Sequence, residues 1–152
     1  MSVSLDRAAI LRLLEDLDRE LQRRGSRAQV FLVGGAAIAL AFDARRSTRD
    51  LDAVFQPAEV VREAARVVAE RHALAEDWLN DAVKGFLPGR DAEEQRFYSG
   101  DALDVDVASA RYLLAMKLFS SRVELDADDI AFLYREVGFT TVQEGLDLVS
   151  KA

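Results

Sequence analysis

Two aspartates one residue apart, Asp50 and Asp52, follow a glycine pair, Gly34-Gly35. Residues at i and i+2 of a strand point to the same side, about 6.5–7 Å apart along the chain. Two carboxylates so placed can converge on one or two magnesium ions, the arrangement that serves phosphoryl transfer. The glycines end a short apolar run, Phe31-Leu32-Val33, and precede an alanine-rich, helix-length segment. A glycine pair between a strand and a helix lets backbone N–H groups approach phosphate oxygens, with the helix dipole favouring the anion. A dinucleotide fingerprint would need G-x-G-x-x-G. Here Gly35 is followed by Ala36-Ala37-Ile38, so that reading fails.

More polar groups fall into register with the aspartates. A strand beginning early enough puts Arg46, Thr48, Asp50 and Asp52 on one face. Arg46 could then meet triphosphate oxygens with its fork of donors. The competing reading makes Arg45, Arg46 and Arg49 a solvated loop. A third carboxylate could come from Leu103–Val107, which alternates apolar residues with Asp104 and Asp106. Either aspartate could assist an acceptor hydroxyl, or the pair could simply face solvent. Lys117 stands alone in the apolar run from Tyr112 to Phe119. An unpaired buried lysine is costly, so it should reach a carboxylate or a phosphate, unless it snorkels. Asp126 and Asp129 suit an N-cap and a first-turn acid. Trp78 and Phe86 read as core, and His72 as a helix-end residue.

These groups need elements to hold them. Ser4 is placed to cap a helix carrying Ile10, Leu13, Leu14, Leu17 and Leu21, ended by Gly25. Gln29 to Val33 reads as a buried strand, Ala36 to Ala44 as a helix, and Thr48 to Phe55 as a strand. Pro57 opens the next helix, where its missing N–H costs nothing. A turn around Asp77–Asp81 leads to strands near Val83–Leu87, Glu93–Ser99 and Leu103–Val107. Ser109 caps a helix through about Ser121, and Asp126 another, with Leu125 and Ile130 as a staple and Gly138 as its stop. Thr141 and Glu144 form a capping box for the last helix. The expected class is α+β: a small mixed β-sheet with flanking helices in one domain, its core at about 26–108 and a helical C-terminal portion at about 109–152.

Composition removes other chemistries. There is no cysteine and a single histidine, so thiolate zinc sites and a Ser-His-Asp triad are excluded or poor bets. A net charge of −7 argues against gripping extended duplex DNA. No signal-like or membrane-length apolar segment is visible, so a cytoplasmic protein without membrane contact is expected.

Taken together, Gly34-Gly35 and Arg46-x-Thr48-x-Asp50-x-Asp52 resemble the polymerase-β-type nucleotidyltransferase superfamily, in particular its small bacterial AbiEii-like branch. The helix Leu113–Leu118 with Lys117, then Arg122 and Asp126-x-x-Asp129-Ile130-x-x-Leu133, resembles that branch's C-terminal motifs. The resemblance runs from about Val30 to Leu133, and Gly35 stands where many members carry serine. It implies Mg2+, with Mn2+ as an alternative, held by Asp50 and Asp52. Gly34, Gly35, Arg46, Thr48 and Lys117 would hold the nucleoside triphosphate, and Asp104 or Asp106 would complete the catalytic set. It further implies an RNA end or a protein hydroxyl as acceptor, and the toxin half of a toxin–antitoxin pair with a cognate antitoxin as partner. The alternative is an inactive relative that binds a nucleotide or a partner protein.

Overall fold

The computed structural model describes residues 4–119 and 123–151. They form two compact units: residues 4–84 with 95–107, and residues 85–94 with 108–119 and 123–151.

The first unit begins with α1 (Arg7–Arg23). Its cap is Asp6, not Ser4: the Ala9 N–H donates to the Asp6 side chain (2.9 Å). Ser4 instead hydrogen-bonds Ser47. β1 (Ala28–Leu32), α2 (Gly34–Ala41), β2 (Leu51–Gln56) and α3 (Ala58–His72) follow. α3 starts directly after Pro57, as its fixed φ suggests. The strand expected near Val83–Leu87 is absent. β3 is shorter and earlier (Leu79–Asn80), and Ala82–Phe86 form a 3-10 turn. β4 (Gln95–Ser99) and β5 (Leu103–Val107) close the unit as a hairpin.

The strands form one mixed sheet in the order β3-β2-β1-β5-β4. β1 runs antiparallel to β2 and parallel to β5. Alternation sorts the side chains. Val30, Leu32, Ala53, Phe55, Leu103, Val105 and Val107 are buried on one face, where α1, α2 and α3 pack. Gln29, Phe31, Asp52, Val54, Gln56, Asp104 and Asp106 share the other face by register. Trp78 joins the core, its indole N–H donating to the Ala65 carbonyl (2.8 Å). Phe86 does not: it is 70% exposed, because the 3-10 turn carries no buried residue.

The second unit holds α4 (Ala110–Phe119), α5 (Val123–Val137) and α6 (Val142–Ser150). Ser109 caps α4 through Tyr112 N–H (3.2 Å), and Asp91 in turn accepts from the Ser109 N–H and hydroxyl. α5 begins at Val123, so Asp126 lies within the helix and does not cap it. Ser121 and Arg122 fall outside the described residues. Gly138 (φ 87°) ends α5, and the Thr141–Glu144 capping box starts α6. Among the described residues no helix is long and apolar enough to cross a membrane.

Candidate nucleotide site

β1 ends at Leu32, and the chain turns at Gly34 into α2. Gly34 has φ 63°, a left-handed conformation that glycine adopts without penalty. The strand pairing continues one residue past β1: the Val33 N–H donates to the Asp52 carbonyl (2.9 Å). That bond sets the glycine turn beside the first residues of β2. A Cβ at Gly34 would lie 3.3 Å from Asp52 Oδ2, and one at Gly35 would lie 3.2 Å from Thr48 Oγ1. The structure therefore brings Gly34, Gly35, Thr48 and Asp52 together. With no side chains at Gly34 and Gly35, the backbone at the start of α2 lies uncovered beside the half-exposed Asp52.

The approach to β2 is not a continuous strand. β2 begins at Leu51, and Asp50 sits in a bend with its side chain exposed. Thr48 makes an isolated bridge to Leu5: Leu5 N–H to Thr48 O is 2.6 Å and Thr48 N–H to Leu5 O is 2.9 Å. The Thr48 hydroxyl donates to the Asp50 carbonyl (2.9 Å), stitching the bend. Arg46 lies outside the strand as well, and its guanidinium pairs with Asp43 (3.5 Å). The shared strand face expected for Arg46, Thr48, Asp50 and Asp52 thus gives way to a looped approach. In the β1–β2 register Thr48 falls opposite Ala37, beyond the end of β1, and its backbone pairs with Leu5 instead.

Register also separates the two candidate third carboxylates. Asp106 lies opposite Phe31, which lies opposite Val54, two residues from Asp52 on the same face. Asp104 shares a row with Gln29 and Gln56, four residues from Asp52. At about 3.3 Å per residue, Asp104 is roughly 6.6 Å further along the strands than Asp106. Asp104 is also committed. It accepts from Ser99 Oγ (2.8 Å) and pairs with Arg27 (3.2 Å) and Arg96 (3.4 Å). The Ser99 hydrogen bond, opposed by burial and aided by both arginines, holds its carboxyl below the usual range. Asp106 pairs with Arg96 Nε at 2.6 Å. Arg96 was not singled out in the sequence. The signal for it is register alone, since Arg96 faces Asp106 across the β4–β5 ladder. Asn80, opposite Asp52 on β3, was missed for the same reason.

Lys117 belongs to the second unit. It reaches a carboxylate there: its ammonium pairs with Asp129 (3.2 Å), and both side chains are half-buried. Asp129 stands two turns into α5 and is not a first-turn acid. His72 ends α3 and pairs with Asp16 (2.9 Å).

Among the described residues, no three carboxylate or imidazole groups gather closely enough to hold a metal by themselves. Magnesium needs only one or two protein carboxylates, since it completes its octahedron with water and substrate phosphates.

A Gly34→Ala variant tests the glycine turn. Forcing a side chain into the left-handed region costs about 1–2 kcal/mol. The new methyl would also press on Asp52. Denaturant unfolding should show that loss, and a Mg2+–NTP titration should show weaker binding at temperatures where the variant is fully folded.

A family model described as "nucleotidyltransferase of unknown function" (DUF6036) matches residues 8–144. No curated protein matches the chain. No solved structure matches it either.

Proposed function

Because the chain belongs to this family of nucleotidyltransferases of unknown function, we propose that it transfers a nucleoside monophosphate from an NTP to a hydroxyl acceptor. The observation that carries this reading is the contact between the glycine turn and the aspartate strand, with Asp52 Oδ2 3.3 Å from the Cβ position of Gly34. Phosphate oxygens need open N–H donors, and the metal that neutralises them needs a carboxylate alongside.

In this reading the N–H groups of Gly34 and Gly35 hold the triphosphate at the start of α2. Thr48 fixes the bend that presents Asp50. A Cβ at position 35 would lie 3.2 Å from its hydroxyl. Arg46, released from Asp43, adds a charge-assisted contact to the phosphates. Asp50 and Asp52 would hold magnesium, which supplies charge neutralisation at the α-phosphate and the leaving group. Asp106 accepts the acceptor's proton. The acceptor oxygen forms a bond to the α-phosphorus, the bond to the bridging oxygen breaks, and pyrophosphate leaves with its electron pair. Lys117 enters only through the resemblance, since its ammonium sits on Asp129. The acceptor is an RNA end or a protein hydroxyl. The toxin role implied by the AbiEii-like resemblance predicts growth arrest on expression, relieved by a cognate antitoxin.

One observation favours a second reading, an inactive nucleotide-binding module: Arg96 neutralises Asp106 at 2.6 Å. The two readings part in one experiment. The protein is incubated with Mg2+, each α-labelled NTP, and total RNA or lysate. Label transfer with pyrophosphate release supports the enzyme. Tight NTP binding without transfer to any acceptor supports the inactive module.

A further inference from the structure

The second unit carries a cavity of its own, of about 210 Å³. Its walls come from the loop at 88–93, the start of α4 and the end of α6. Buried polar groups fasten that loop to α4. Asp91 is 7% exposed and spends both carboxylate oxygens. One accepts from the Glu93 N–H (3.0 Å) and the Ser109 hydroxyl (2.9 Å), the other from the Ser109 N–H (2.7 Å). The buried Tyr112 donates its hydroxyl to the Gly89 carbonyl (2.6 Å). Arg90 stands between these two anchors, so its backbone is held at the cavity wall.

The charged side chains lining the cavity are Arg90, Asp91, Glu93, Arg111 and Lys151. Asp91 is consumed by the loop. Glu93 pairs with Arg111 at 3.6 Å, but the two side chains are 64% and 50% exposed. Such an exposed pair is worth little, so an anion of higher charge can take the place of Glu93. The Arg111 guanidinium also lies 5.5 Å from the centroid of the Phe139 ring, which places it without neutralising it. Among the described residues, no ion pair or hydrogen bond engages the side chain of Arg90 or Lys151. Two cations are therefore unspent and a third is exchangeable, beside an apolar wall of Pro88, Ala115 and Leu148.

We infer that this cavity binds a small phosphate monoester, its dianionic head on Arg90, Arg111 and Lys151 and its organic part against the apolar wall. Guanidinium groups match phosphate with a fork of donors, and the lysine adds a point charge. The volume sets the size of the ligand. Pockets for drug-sized molecules run to about 300–1,000 Å³, so this one admits a sugar phosphate and not a nucleoside triphosphate. Every lining residue belongs to the second unit, and none belongs to the Gly34–Asp52 site. The inference does not rest on the transferase reading.

The test titrates the full chain with ribose 5-phosphate at constant ionic strength, followed by calorimetry and by amide NMR shifts. Binding should move the resonances of Arg90, Asp91, Arg111 and Lys151 and leave Gly34 and Gly35 in place. Ribose alone should not bind. Arg90→Gln with Lys151→Gln should weaken binding at least about tenfold, as loss of hydrogen bonds to a charged group does. Both side chains are exposed, so the ligand-free unfolding midpoint should stay at the wild-type value. If the pair of changes does unfold the chain, Lys151→Gln alone carries the test. Wild-type protein that fails to bind ribose 5-phosphate at millimolar concentration overturns the inference. So does a folded variant that binds as well as wild type, or succinate binding as tightly as the phosphate ester. Shifts confined to Gly34 and Gly35 overturn it too, while leaving the transferase reading intact.

Discussion

An Asp52→Asn variant transfers label roughly 10²–10³-fold more slowly than the wild type, a barrier rise of about 3–4 kcal/mol. The substitution keeps the shape of the side chain and removes its charge. Charge is what the site needs, because a carboxylate that holds a divalent cation acts by neutralising phosphate oxygens in the transition state. Asp52 is half-exposed and is the second residue of β2, so the fold should tolerate the change. A midpoint of thermal unfolding within a few degrees of wild type would confirm this. Asp104→Asn is the matched control. It stands four residues from Asp52 by register and is held by Ser99, Arg27 and Arg96. It should leave transfer within a few-fold. Equal losses in both variants would sink the assignment of the site to the Gly34–Asp52 corner.

The largest effect on stability is expected at Gly100, far from any proposed chemistry. Gly100 lies in the β4–β5 turn, its N–H donating to the Leu103 carbonyl (2.8 Å). A Cβ there would fall on the carboxylate of Asp18. Asp18 is buried on α1 and has no freedom to retreat. One oxygen accepts from the Tyr98 hydroxyl (2.7 Å), the other from the Ala102 N–H (2.8 Å). Gly100→Ala should therefore cost about 2–4 kcal/mol, since a buried hydrogen-bonded carboxylate must shift. For a chain of this size that lowers Tm by roughly 5–12 °C in calorimetry. Adding Asp18→Ala removes the obstacle, so the double variant should lose less than the sum of the two singles. A strictly additive pair would show that the clash is not the cause. The same cluster has an alkaline signature. Burial, then the Asp18 hydrogen bond, pushes the Tyr98 hydroxyl above its ordinary value of 10.0. Its contribution is fully present below that pH and is lost as pH rises through the elevated folded value. Tyr98→Phe should flatten this part of the stability profile.

Much of the frame is legible residue by residue. Pro57, Ser109, Gly138 and the Thr141–Glu144 pair mark helix ends because their effects are local: a missing N–H, a hydroxyl within reach of the first turn, a left-handed φ. Leu103–Val107 is legible because alternation reports a half-buried strand. Asp6 displaced Ser4 as cap because two capping residues stood close together and the chain chose between them by pairing Leu5 with Thr48. Arg46 and Thr48 stay outside β2 because β1 ends at Leu32, opposite Ala53, and no local pattern encodes where the partner strand stops. Phe86 read as core because it is large and apolar, yet its 3-10 turn leaves it exposed.

By itself the sequence determined which groups could meet phosphate and metal: a glycine pair after a strand, and aspartates spaced by two. Those are properties of residue type and of chain geometry over a few bonds. Only the tertiary structure decided that Asp52 and Thr48 close on the glycine turn, that Asp106 stands nearer to Asp52 than Asp104 does, and that Lys117 spends its charge on Asp129. The physical reason is strand register. Pairing across β2, β1 and β5 fixes which side chains share a row, and a shift of one residue would turn every one of them to the opposite face.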